Sequence, residues 1–156
     1  MPVDQRADPG QAEATVEAMW AALSARDWDA VAGLLSAGCI YLDMPVGPTA
    51  AARGPADIVK RLKIGLEPLA GYRNFPGLMV SNGTDVMYEH SEEWLWGSGE
   101  SALLKFVTVH RVEGGLITLW KDYWDMGALT AHAPPTWMDD FANADMSWVF
   151  DATGLV

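Results

Sequence analysis

In the segment YEHSEEWLW, Tyr88 to Trp96, strand alternation puts Tyr88, His90, Glu92, Trp94 and Trp96 on one face and Glu89, Ser91, Glu93 and Leu95 on the other. The face with the tryptophans is the one to bury, and it takes a histidine and a glutamate inward with it. An unpaired charge in such a place either costs several kcal/mol or neutralises itself. The segment LITLWKDYWDM behaves the same way, with Trp120, Asp122 and Trp124 on one face and Lys121 and Tyr123 on the other. Two inward carboxyls on two strands of one curved sheet, with His90 beside Glu92, make an acid, a base and a bridging group. The plainer alternative is that backbone amides satisfy Asp122 and Glu92 and that His90 is a hydrogen-bonded core residue.

The elements that must position these groups are legible from periodicity. Residues 1–10 are polar and proline-bearing and read as a flexible arm ahead of one α+β domain spanning 11–156. From Gln11 onward Val16, Met19, Trp20 and Leu23 recur at helical spacing, a short helix WDAVAGLLS follows, and a third helix runs from about Ala56 to Leu66. CIYLDMP reads as a strand halted by Pro45. GYRNFPGLMVS, DVMYEHSEEWLWG, SALLKFVTVHRV and LITLWKDYWDM are four strands of an antiparallel meander, separated by Asn-Gly, Gly-Ser-Gly and Glu-Gly-Gly turns. Helices followed by a bent sheet of about five strands predict a cone with an open end and an internal pocket. The aromatic-bearing tail, about 135–156, folds back as a lid, its segment from Trp137 to Phe150 capping the pocket.

Composition narrows the function classes. A chain of 156 residues with a formal net charge of -11 repels phosphate backbones and anionic membranes, so neither nucleic acid nor a membrane is expected as partner. The amino terminus lacks the pattern of an export signal, and with the single Cys39 this predicts a cytoplasmic protein whose thiol is packing rather than nucleophile. Asn82-Gly83-Thr84 is read as a turn. His110 shares a face with Leu104 and Phe106 and approaches His90, yet the spacing is not diagnostic of a metal site, and no metal or cofactor is expected. His132 is expected in solvent, and Lys105 and Lys121 on the outside of the cone.

The run WDAVAGLLSAGCIYLDMP, followed by ARGPADIV, YEHSEEWL and ITLWKDYWDM, resembles the limonene-1,2-epoxide hydrolase branch of the nuclear-transport-factor-2-like superfamily, over about Trp28 to Leu129. That superfamily also holds SnoaL-type polyketide cyclases, scytalone dehydratase and ketosteroid isomerase. The resemblance implies a cone-shaped α+β barrel, a homodimer formed through the outer sheet face, and a catalytic group on His90, Glu92, Asp122, Tyr41 and Asp43. Only Asp122 and Tyr41 keep the branch's residue types. Glu92 stands for an aspartate, His90 for an arginine and Asp43 for an asparagine. A fixed positive charge is thereby lost and a third acid gained, so repulsion is expected to hold at least one acid protonated near neutral pH.

The inherited reaction would be hydrolysis of an epoxide to a vicinal diol. Asp122 would accept a proton from a water held by Tyr41 and Asp43, protonated Glu92 would donate to the ring oxygen, and His90 would link the two acids. The rival is a cofactor-free lyase, dehydratase or cyclase on a bulky aromatic alcohol, such as a formaldehyde-releasing lyase on an aryl diol. A pocketed binding module without chemistry is the third class. The pocket is expected to be lined by Trp20, Tyr88, Trp94, Leu104, Phe106, Trp120, Trp124, Leu129 and Trp137, with Trp96 as a further candidate.

Overall fold

The computed structural model describes residues 9–156; the first eight residues of the expected arm lie outside the described residues. Helix α1 (Pro9–Ser24) is rich in alanine and turns Ala12, Val16, Met19, Trp20 and Leu23 to one buried stripe. Arg26, in the left-handed region at φ 54, ends the run, and its guanidinium donates to the Leu69 carbonyl at 2.9 Å. Asp27 then caps α2 (Trp28–Gly33) by accepting from the Ala30 amide at 3.1 Å. Strand β1 (Leu35–Asp43), a short 3-10 turn and β2 (Ala51–Arg53) lead to α3 (Pro55–Leu66). Gly54 at φ 82 makes the entry that a side chain would resist, and Pro55 supplies the preset first turn.

The meander follows as β3 (Leu69–Ser81), β4 (Asp85–Trp96), β5 (Ser101–Glu113) and β6 (Leu116–Trp124). The chain closes with α4 (Met126–His132), α5 (Trp137–Ala142) and β7 (Val149–Phe150). Among the described residues the sheet has seven strands in the order β3-β4-β5-β6-β1-β2-β7, two more than expected, because the short β2 and β7 extend it beyond β1. It is mixed: β1 runs parallel to β6 and sets Asp43 beside Asp122. The rest of the sheet is antiparallel.

Alternation is kept along β4 and β5, where Val86, Tyr88, His90, Glu92, Trp94 and Trp96 are buried, as are Ala102, Leu104, Phe106, Thr108, His110 and Val112. The helices cover this concave face, and α1 and Trp20 form its floor. Cys39 is buried in the core, and burial pushes its thiol up to about 12, so it packs rather than reacts. His132 is exposed, Asn82 caps the β3–β4 turn by accepting from the Thr84 and Asp85 amides, and Trp148 of the tail is buried in the core.

Strand β3 departs from regular pairing between Pro76 and Met79. It is an edge strand, where a proline is tolerated, and Gly77 lets it approach β4 closely: a Cβ there would run into the Glu89 carbonyl oxygen. Gly77→Ala is therefore expected to lower stability by about 2 kcal/mol, read from the midpoint of chemical denaturation.

Candidate functional site

Three carboxyls from three strands face one enclosed space. Glu92 on β4, Asp122 on β6 and Asp43 at the end of β1 are all at least 95% buried and line a cavity of about 70 Å³. Its other walls come from Trp20, Tyr41, Trp94, Phe106, Trp120 and Trp124, from Arg61 and Leu62 of α3, from Leu129 of α4 and from Trp137 and Phe141 of α5. The structure brings Tyr41, Asp43, Glu92 and Asp122 together around this cavity.

Each carboxyl accepts a hydrogen bond from an indole. Trp94 donates to Glu92 at 2.8 Å, Trp120 to Asp122 at 2.6 Å and Trp124 to Asp43 at 3.0 Å. The first two pairs are two residues apart on one strand face, the spacing that makes neighbours on a pleat. Tyr41 adds a second donor to Asp122 at 3.1 Å. Asp43 alone has a cation, Arg61, whose guanidinium bonds its other oxygen. Burial works against the Arg61 charge, and Asp43, Tyr41 and Asp122 together outweigh it. The guanidinium is also stacked near three rings, 4.8 Å from the Phe141 centroid, 5.4 Å from Trp148 and 6.0 Å from Tyr41.

Arg61 was not among the sequence candidates. Its helix shows why it turns inward: Ile58, Leu62 and Gly65 are buried, and Arg61 lies on that stripe, whereas Lys60 and Lys63 are outside it. The helical period in PADIVKRLKIGL is the signal that singles it out.

Glu92 and Asp122 both hold a proton more strongly than ordinary carboxyls. Burial drives Glu92 up to about 7 against the opposing pull of the Trp94 indole and Tyr72 hydroxyl. Asp122 is pushed up well beyond the ordinary carboxylate range, first by burial and then by the Asp43 and Glu92 charges. Tyr41 is raised for the same reasons and stays a neutral donor.

Several expected contributors lie elsewhere. His90 does not link the two acids and does not line the cavity. Its ring is stacked between Tyr88, at 4.7 Å, and Phe106, at 5.2 Å, and its Nδ1 bonds the Asn74 side-chain oxygen at 2.7 Å. Burial lowers it to about 3, so it is a neutral imidazole. Tyr88, one step further along β4, leaves the cavity for a groove between α1 and the irregular part of β3. Leu104 is 1% exposed and packs solidly opposite Glu92, and Trp96 borders a separate surface recess beneath α5. His110 meets no acid: its Nε2 accepts from the Trp20 indole at 3.1 Å, and Trp20 stands near both imidazoles, with ring centroids 4.2 and 6.2 Å away.

Two stability predictions follow from this charge arrangement. Arg61→Met strands the Asp43 carboxyl and is expected to cost roughly 3 to 5 kcal/mol in denaturation, and adding Asp43→Asn should recover most of it. Glu92 binds its proton more tightly folded than unfolded, so its burial favours the fold at low pH and turns into a penalty as pH rises from about 4.5 through about 7. Glu92→Gln should thus stabilise the protein more at pH 8 than at pH 5, by on the order of 3 kcal/mol, measured as the difference between denaturation curves.

Comparison with known proteins fits this geometry. Residues 16–120 match the SnoaL-like domain family. Among curated proteins no sequence matches. Similar solved structures include an LEH-like epoxide hydrolase of M. tuberculosis, 24% identical, covering 79% of this chain and 89% of that one with a TM-score of 0.68. A ketosteroid isomerase of Mycobacterium sp. is 20% identical over 76% of this chain and 95% of its own, with a TM-score of 0.63. TerC, co-crystallised with polyporic acid, is 21% identical over 78% and 96%, with a TM-score of 0.69. These structures share the helices-then-curved-sheet fold with the present chain, which belongs to the SnoaL-like domain family.

Proposed function

We propose that this protein is a cofactor-independent acid–base enzyme that adds water to an epoxide of a hydrophobic small molecule, giving a vicinal diol. The observation that carries the reading is that Glu92 and Asp122 share one aromatic-walled cavity, where burial raises the proton affinity of both. A group that titrates near neutrality is the suited base, and a neighbour that keeps its proton is the suited acid. Glu92 carboxylate takes a proton from water, the water oxygen attacks a ring carbon, the carbon–oxygen bond breaks, and Asp122 delivers its proton to the ring oxygen. These roles are the reverse of those the resemblance implies. Tyr41 orients Asp122, and the Asp43–Arg61 pair keeps a fixed dipole beside it. Proton exchange through water then resets both acids.

A second reading uses the same pair on an aryl diol. Glu92 takes the hydroxyl proton, a carbon–carbon bond breaks to release formaldehyde, and Asp122 protonates the departing hydroxide as water. The aromatic walls formed by Trp20, Trp94, Phe106, Trp120, Trp124 and Trp137 favour it. At about 70 Å³ the cavity takes only a small part of such a molecule, so a bulky substrate requires Trp137 and Phe141 to move aside with the short α5.

Incubation with terpene epoxides and aryl-propane diols in oxygen-18 water separates the two. Label in a diol supports hydrolysis, formaldehyde with an alkene supports the lyase, and silence on both panels with a folded protein removes both. In either case kcat/KM should rise with pH through about 7 as Glu92 ionises. Asp122→Asn and Glu92→Gln should each lower kcat by roughly 10²- to 10⁴-fold.

A further inference from the structure

His90 is buried to 2% exposure, yet its Nε2 meets no hydrogen-bond partner among the described residues, while Nδ1 lies 2.7 Å from the Asn74 side-chain oxygen and 4.0 Å from Glu92 Oε1. An orphaned buried donor costs more than an orphaned lone pair, so the single proton of this imidazole belongs on Nδ1. Asn74 is fixed in turn, because its amide nitrogen donates to the Tyr88 hydroxyl at 3.2 Å and so leaves its oxygen for the imidazole. The ring cannot turn freely: Tyr88 and Phe106 stack on it at interplanar angles of 13° and 17°, and Trp20 closes in at 4.2 Å. The result is one N–H, locked in tautomer and in plane and donated to Asn74, which leaves the positive Nδ1 edge of the ring, not a lone pair, 4.0 Å from Glu92 Oε1. Trp94 serves the other Glu92 oxygen, Oε2.

We propose that Asn74 and His90 form a positioning pair for Glu92: Asn74 holds the His90 proton on Nδ1, so that the positive edge of the imidazole dipole faces the Glu92 carboxylate as it forms. A carboxylate gains more from a facing dipole than a carboxylic acid does, so this arrangement eases ionisation without placing a second positive charge in the cavity. The inference rests on Glu92 acting as the base. The other groups bearing on Glu92 are Tyr72 from β3, Asp43 from β1 and Asp122 from β6. Those around His90 are Asn74, Tyr88, His110 and, at the rim of the groove, Glu17.

The test has three parts. Nitrogen-15 NMR of the imidazole in the ligand-free protein should show the Nδ1–H tautomer of His90, and an Nε2–H tautomer overturns the proposal. His90→Phe keeps the aromatic stack and removes the donor, and Asn74→Leu removes the acceptor that selects the tautomer. Both should move the acidic limb of the kcat/KM profile upward by roughly half a unit or more. Asn74→Asp, which retains an acceptor, should preserve the Nδ1–H tautomer in the nitrogen-15 spectrum, and its loss there rejects Asn74 as the selecting group. Limbs unmoved in both His90→Phe and Asn74→Leu, with spectra of a folded protein, reject the pairing. The titration of the Glu92 carboxyl carbon by carbon-13 NMR reads the same shift without turnover. Silent substrate panels with the carbon-13 shift present would count against the proposed reaction, and an unmoved carbon-13 titration would count against the positioning pair.

Discussion

Burying three carboxyls in one apolar hollow is the constraint on which the rest of this structure depends. Their mutual repulsion and desolvation would each oppose folding if the groups were ionised and unbonded. The chain answers with neutral donors, giving each acid an indole N–H, and reserves one guanidinium for Asp43. Charge is thus limited rather than cancelled: Asp122 and Glu92 hold their protons more firmly than ordinary carboxyls, and proton affinity becomes the adjustable property of the site.

The tryptophans therefore have two tasks. Their ring bodies supply the apolar area that closes the cone around α1, and their single polar atoms satisfy the acids. This explains how a core so rich in aromatic residues also accommodates acidic side chains at nearly full burial. The cation that the resemblance leads one to expect on β4 has been replaced by neutral His90, and a buried guanidinium stands instead on α3, at Arg61. That relocation moves the fixed positive charge from Glu92 to Asp43 and ties it to the tail, since Phe141 and Trp148 stack around the same guanidinium. A change in the position of the tail would be felt by the Asp43 pair, and through it by Asp122.

Much of the fold and part of the site were legible beforehand. The period of two along YEHSEEWLW and WKDYW turned Glu92 and Asp122 inward together with their tryptophans, because a one-residue slip would have turned every tryptophan on those strands outward. The helical stripes, the Asn-Gly turn and the order of elements followed from equally local rules. Alternation alone could not separate His90, Tyr88 and Leu104 from the cavity, since it tells which face a residue takes and not how far along the strand the free space extends. The irregular stretch after Pro76 was likewise hidden, being a property of how β3 meets β4.

The sequence by itself determined which side chains are buried, since burial follows from period and hydrophobicity within one segment. Only the tertiary structure decided which of them meet. Arg61 reaches Asp43 from a helix, Tyr41 and Trp124 bond acids 81 positions away, and Asn74 selects the tautomer of His90 from the neighbouring strand. Those encounters are set by strand register and by the curvature that brings the end of β1 beside β6, and no short-range pattern in the chain encodes either.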